Sequence, residues 1–142
     1  MIFRELLNGI NVTNFKGDEE LEISGISFDS NKVKEGFLLV ALRGENADGH
    51  NYIDSALNNG ASALFVEKPS NVNSKKISVA QVNDSRAALA VVAANFFGHP
   101  TKELTLVGIT GTNGKTTITY LLESIWASEH KRSGVIGTID YR

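Results

Sequence analysis

Cysteine is missing from all 142 residues, so disulfides, thiolate metal sites and cysteine nucleophiles are excluded. Proline is nearly missing too: only Pro69 and Pro100 interrupt the chain, and both read as ends of elements rather than kinks within them. No apolar run approaches the ~18 residues that suggest a membrane span. The start, Met1-Ile2-Phe3-Arg4-Glu5-Leu6-Leu7, is broken by Arg4 and Glu5 and lacks the apolar centre of a signal peptide. It reads as a short amphipathic helix closed by Asn8-Gly9, and the compartment expected is the cytoplasm. Charge of one sign is also scarce. Fourteen Lys and Arg stand against sixteen Asp and Glu, a formal net charge of −2 without a basic cluster, so neither nucleic acid nor an anionic membrane is expected as a partner.

What is present fits a mixed α/β protein: 42% hydrophobic and 21% charged residues are ordinary for a globular chain. The length suits one full domain, or one domain and the beginning of another. Short apolar stretches at 21–26 and 37–42, separated by Asp29-Ser30-Asn31 and Lys34-Glu35-Gly36, read as strands joined by turns. A helix is expected over 52–58, ended by Asn59-Gly60, then a strand at 63–66 ended by Lys68-Pro69. A polar loop over 70–76 leads to a strand at 77–82. The clearest helix spans 85–97: Asn83 or Asp84 can cap it, and Leu89, Val92, Ala93, Phe96 and Phe97 form an apolar stripe at helical spacing. Gly98-His99-Pro100 ends it, and 98–103 looks like a linker.

The most specific motif follows. An apolar stretch at 104–109 runs into Ile109-Thr110-Gly111-Thr112-Asn113-Gly114-Lys115-Thr116-Thr117, and a helix-patterned segment leaves it over 116–128. Strand, loop and helix in that order are what a phosphate-binding loop requires. Gly111 and Gly114 can adopt backbone angles closed to other residues, turning N–H groups inward around phosphate oxygens. The helix N-terminus adds unpaired N–H groups and a positive dipole end. Lys115 can reach the outer phosphates, and the Thr116 hydroxyl is placed to ligate Mg²⁺. The strict pattern fails at one position, where Ile109 replaces glycine. A chance G-x-x-G-K-[ST] in a chain of this length is roughly a half-percent event, so a nucleotide triphosphate is the expected ligand.

After the helix only a second strand, 134–139, is expected. One βαβ unit cannot cover both faces of a parallel sheet, so residues 101–142 are expected to be the truncated start of a larger domain, set behind a first domain at 1–100.

Asp29-Ser30, Gly36, the run Phe37-Leu38-Leu39-Val40-Ala41-Leu42, Arg43-Gly44, Asp48-Gly49-His50, Ala56, Gly60-Ala61 and Phe65-Val66, in that order, resemble the N-terminal domain of Mur ligases. The stretch Gly108 onward through Thr117, with Gly137-Thr138 later, looks most like the branch that adds the third peptide residue. The resemblance covers essentially the whole chain and accounts for Ile109, since that family's loop carries an aliphatic residue there. It implies a small mixed-sheet, UDP-substrate-binding domain followed by the first βαβ unit of a P-loop ATPase domain. The implied reaction joins L-lysine or meso-diaminopimelate to UDP-N-acetylmuramoyl-L-alanyl-D-glutamate through an acyl phosphate made from ATP with Mg²⁺.

By the same resemblance, Gly111, Thr112, Asn113, Gly114, Lys115, Thr116 and Thr117 would hold ATP, with Lys115 catalytic and Thr116 on the metal. Phe28, Ser30, Glu45, Asn46 and Ala47 would face the UDP end of the substrate. Ser and Asn side chains and loop N–H groups suit a uracil edge and phosphate oxygens. Two departures stand out: Asn31 replaces an arginine common after the Asp-Ser pair, and Glu45 is an unexpected neighbour for a pyrophosphate. The family's remaining metal ligands and its amino-acid-receiving domain have no counterpart in this sequence, so the chain by itself is expected to bind uridine nucleotide weakly, as a monomer, without turnover.

Read without the resemblance, Asp29-Ser30-Asn31 is ordinary turn chemistry. Asp48-Gly49-His50 reads as a turn capping a helix from about residue 51 rather than as a metal or acid–base site. His99 and His130 read as solvated, and Trp126 as a packing residue. The alternatives are the Mur ligase that adds D-alanyl-D-alanine, a generic P-loop kinase or NTPase, and a non-catalytic nucleotide-sugar binding module.

Overall fold

The computed structural model describes residues 1–44, 47–69, 72, 76–139 and 141. The chain divides into two compact units, Met1–Glu103 and Leu104–Arg142.

The first unit is built on five strands: β1 (Val12–Lys16), β2 (Gly25–Ser27), β3 (Phe37–Val40), β4 (Ala61–Val66) and β5 (Ser78–Val82), in the spatial order β1-β5-β4-β3-β2. Strands β2 to β5 run parallel to their neighbours, and β1 adds an antiparallel edge beside β5. Apolar residues fill both faces of β4, whose pattern is buried at five of six positions, as a central parallel strand demands. On one face Phe3, Leu6, Ile23, Leu38, Val40, Phe65, Val82 and Val92 form a core under helices α1 (Phe3–Leu6) and α3 (Ser85–Phe96). On the other, Val33, Leu39, Ala56, Leu64, Val66 and Val79 pack under α2 (Ile53–Asn58) and the 3₁₀ turn Ser30–Lys32.

Most element ends follow from local chemistry. The Asp84 carboxylate accepts from the N–H groups of Arg86 and Ala87 at the head of α3, and Gly98 (φ +73°) lies just past its end. Gly60 ends α2 with φ +100° and packs so tightly that a Cβ there would lie 2.8 Å from Glu35 Cα. Strand β1 is absent from the sequence-based expectation because Val12-Thr13-Asn14-Phe15-Lys16 is mostly polar. It is an edge strand with only two partly buried positions, and it forms by pairing with β5. The expected strand over 21–26 contracts to Gly25–Ser27, with Glu22 making instead an isolated bridge to Ile2.

The second unit contains one long helix, α4 (Lys115–Ser128), where the pattern places it. Neither 104–109 nor 134–139 is a strand. A strand is stable only when its N–H and C=O groups pair with a neighbour, and among the described residues of this unit the only ladder contact is the single bridge Ile136↔Tyr141. The apolar side chains of this unit are correspondingly wet. Leu106, Leu121 and Ile125 are all more than half exposed and Ile136 is 94% exposed, while Val135 is the only buried hydrophobic residue among those described in the unit.

Candidate functional site

The phosphate loop is built around two backbone conformations that side chains disfavour. Gly111 has φ +148° and Gly114 φ +76°. Gly114 is also the N-cap of α4, and with no side chain it leaves the helix without a side-chain cap. The first bond of the helix runs from Ile118 N–H to Gly114 C=O at 2.9 Å. The amides of Lys115, Thr116 and Thr117 therefore stand at the helix head without an intrahelical acceptor, as anion-binding donors. Lys115 Nζ reaches back over the loop and donates to Gly111 C=O at 2.6 Å, which places the ammonium above the loop that would cradle phosphates. A pocket of about 210 Å³ beside the helix is lined by Ile109, Lys115, Thr116, Tyr120, Gly137 and Thr138, among others.

Thr112, Asn113, Thr116 and Thr117 are exposed. Among the described residues no group of three or more His, Asp or Glu side chains could hold a metal ion. A single Thr116 hydroxyl is nevertheless consistent with Mg²⁺, which commonly keeps several waters and takes its other ligands from substrate phosphates.

Of the residues expected at the UDP end, Phe28, Ser30 and Ala47 follow strands β2 and β3 of the other unit's sheet. In the parallel part of the sheet the C-terminal ends of β2, β3 and β4 lie on one side, and ligands of open parallel sheets bind outside such ends. Phe28, directly after β2, is 62% exposed despite its apolar ring. Ser30 is buried at the head of its 3₁₀ turn, and its carbonyl accepts from Asn59 Nδ2 at 2.9 Å. Asp29 caps that turn by accepting from Asn31 N–H. Ala47 is exposed and accepts at its C=O from Gly44 N–H at 2.8 Å. Glu45 and Asn46 lie outside the described residues.

The sequence reading of Asp48-Gly49-His50 as a cap covers half of what that tripeptide does. Asp48 caps the 3₁₀ turn Gly49–Tyr52, accepting from His50 N–H at 3.0 Å. It also accepts from His50 Nδ1 at 2.5 Å and lies 3.5 Å from Lys68 Nζ. These donors, led by the His50 amide, hold the Asp48 carboxyl down to about 2 from the ordinary 3.8. Glu67, at the end of β4, is held below its ordinary value chiefly by the Ser85 N–H and also by the Ser85 hydroxyl. No spacing rule announces this cluster, because Asp48, Glu67 and Ser85 meet only through the sheet.

The comparisons with known proteins follow the same division. Residues 22–105 match the family described as Mur ligase family, catalytic domain, and residues 109–142 match the Mur ligase middle domain. The chain is 42% identical over its whole length to a UDP-N-acetylmuramoyl-L-alanyl-D-glutamate–2,6-diaminopimelate ligase of Oceanobacillus iheyensis, of which it spans 29%. Among solved structures it is similar to a UDP-N-acetylmuramoylalanyl-D-glutamyl-2,6-diaminopimelate–D-alanyl-D-alanyl ligase from Acinetobacter baumannii, with 28% identity, TM-score 0.69, and 90% of this chain and 28% of that one covered. It is also similar to a MurF ligase from Thermotoga maritima in complex with ADP, with 34% identity, TM-score 0.57, and 77% and 24% covered. The first match spans well over half of these 142 residues, and the second takes in the phosphate loop from Ile109 onward: the chain belongs to the Mur ligase family.

Proposed function

We propose that this chain is the N-terminal part of an ATP-dependent ligase of cell-wall precursor synthesis, acting in the cytoplasm. The whole protein forms an amide between the D-glutamate of UDP-N-acetylmuramoyl-L-alanyl-D-glutamate and a diamino acid, L-lysine or meso-diaminopimelate. The observation that carries the reading is the loop from Gly111 to the head of α4, with glycine φ values of +148° and +76° and Lys115 above it, in a chain 42% identical to a ligase with that substrate in its name.

The chemistry suits these parts. A carboxylate is a poor electrophile until one oxygen becomes a good leaving group, and ATP supplies the phosphoryl group that makes it one. Here Lys115 and the amides at the head of α4 neutralise phosphate charge, and Thr116 offers its hydroxyl to Mg²⁺. The first unit, residues 1 to about 100, holds the UDP end through Phe28, Ser30 and the segment carrying Glu45, Asn46 and Ala47; the second, from about 101, opens the ATP site. The exposed Phe28 ring, beside a turn that buries Ser30, supports a flat apolar wall for a base.

A second reading, the ligase that adds D-alanyl-D-alanine, draws on the similarity to the Acinetobacter baumannii enzyme. Sequence relatives at 42%, 41% and 39% identity all carry 2,6-diaminopimelate ligase in their names, which favours the first reading. Assaying the whole protein with ATP and Mg²⁺, supplying meso-diaminopimelate, L-lysine or D-alanyl-D-alanine in turn, separates the two. Amide formation on the dipeptide precursor with a diamino acid is expected. Turnover only with D-alanyl-D-alanine on the tripeptide precursor would overturn the proposal.

A further inference from the structure

At the C-terminal edge of the first unit's sheet, side chains from three successive strand ends close a ring of hydrogen bonds. The chain leaves β3 through Ala41 and Leu42, and Arg43 then pairs with Asp48 in an isolated antiparallel bridge. Gly44 N–H donates to Ala47 C=O and Gly49 N–H to Leu42 C=O, both at 2.8 Å. These bonds make a narrow neck. Gly49 admits no side chain there, since a Cβ would lie 2.8 Å from both Leu42 N and Leu42 O.

From the neck the ring runs outward through His50. Its Nδ1 faces Asp48 Oδ1 at 2.5 Å, and its Nε2 accepts from Glu67 N–H at 2.9 Å, at the end of β4. Glu67 Oε1 accepts in turn from Ser85 N–H at 2.9 Å and Ser85 Oγ at 2.7 Å, at the head of α3. Arg86, the next residue, donates from Nη2 to Arg43 C=O at 3.3 Å and returns the ring to the neck.

The tautomer follows from the partners. A backbone N–H can only donate, so Nε2 presents a lone pair, and the one proton of a neutral imidazole sits on Nδ1 toward the Asp48 carboxylate. Both ring nitrogens are engaged, and the side chain is only 12% exposed. His50 has no nitrogen left for proton transfer or a metal. A simple helix cap would need only Asp48 and the His50 amide; reaching β4 and α3 serves something else.

We infer that His50 is a positioning residue, whose imidazole ties the neck after β3 to the ends of β4 and α3 and so presets the main chain at Gly44 and Ala47 for the anionic end of a nucleotide sugar. The inference rests on the proposed UDP-substrate role of this sheet edge. The energetic logic is preorganisation: a loop held in its bound shape before binding does not lose that freedom on binding.

The test uses the 142-residue chain, UDP-N-acetylmuramoyl-L-alanyl-D-glutamate as titrant, and amide hydrogen exchange at Gly44. His50→Asn keeps a side-chain donor near Asp48 but is too short to bring an acceptor to the place where Nε2 accepts from Glu67 N–H. It is expected to speed Gly44 exchange and to raise the Kd about tenfold, while core amides such as Leu64 and Ala80 stay protected. His50→Gln, which can place an amide oxygen where Nε2 accepts, is expected to recover part of the affinity. Ser85→Ala, which removes the Ser85 Oγ bond to Glu67 far from the neck and leaves the Ser85 N–H bond in place, is expected to move both readouts the same way by less, and it serves if His50→Asn does not fold.

Binding by the unsubstituted chain together with unchanged affinity in His50→Asn and Ser85→Ala would overturn the inference and leave the UDP-site reading standing. Absence of binding by the unsubstituted chain at millimolar titrant would overturn the UDP-site reading and the substrate role of His50 with it. The Gly44 exchange rate would still report whether the ring holds the neck.

Discussion

Lys115 is exposed, and its ammonium donates to the Gly111 carbonyl of the same exposed loop, so little of the fold depends on its side chain. Lys115→Ala in the whole ligase is expected to lower kcat/KM for ATP by about 10²-fold or more, as removal of a preorganised charge does. Its effect on stability is expected to stay within about 0.5 kcal/mol, as for surface changes generally. Steady-state kinetics and thermal unfolding read the two sides separately. Asp48 is the contrasting case. Its carboxyl is held at about 2 against an ordinary 3.8 by donors that exist only in the folded chain, so its contribution to stability is fully present above the ordinary value and is lost as pH falls from there toward 2. Acid unfolding followed by circular dichroism is expected to shift to lower pH dependence in Asp48→Asn, with that window flattened relative to the unsubstituted chain. At this scale the sequence was legible where one residue type has one use. Glycine at 111 and 114, followed by lysine, announced the backbone angles that the structure has. It was opaque for His50, because Glu67 comes seventeen positions later and meets it only when β4 lies beside β3.

Elements were legible when their pattern was local. Helix α3 carries its own cap, stripe and stop, and α4 its glycine entry. Strand β1 has no such pattern, since its pairing with β5 lies 60-odd positions away in sequence and one side of it meets water. Segment 104–109 fails in the opposite direction: its pattern is apolar enough for a strand, but no neighbour among the described residues pairs with it. The same dependence on neighbours makes two substitutions informative. Phe65→Ala, in the fully buried centre of β4 and 5.9 Å between ring centroids from Phe3, is expected to cost about 3–5 kcal/mol in urea unfolding. Gly60→Ala is expected to cost about 1–3 kcal/mol, because it combines a φ of +100° with backbone 2.8 Å from the new methyl.

Across the whole molecule the two units differ in what they can do alone. The first has two apolar cores on a five-stranded sheet, whereas the second leaves most of the apolar residues of α4 and its flanks exposed. Residues 1–103 expressed alone are therefore expected to unfold cooperatively. Residues 104–142 alone are expected to show no cooperative transition by calorimetry, since a lone helix with an unburied apolar face has too little packing to hold it. None of the helices among the described residues is long and apolar enough to cross a membrane. The chain spans 29% of the length of the Oceanobacillus iheyensis ligase, so the amide-forming activity belongs to the proposal for the whole protein, and substrate holding is the part testable here. The most direct measurement is an NMR titration of the 142-residue chain with UDP-N-acetylmuramoyl-L-alanyl-D-glutamate. Saturable shifts confined to Phe28, Ser30, Gly44, Ala47 and their neighbours at the C-terminal edge of the sheet are predicted; shifts absent at millimolar ligand, or clustered elsewhere in the first unit, would contradict the account.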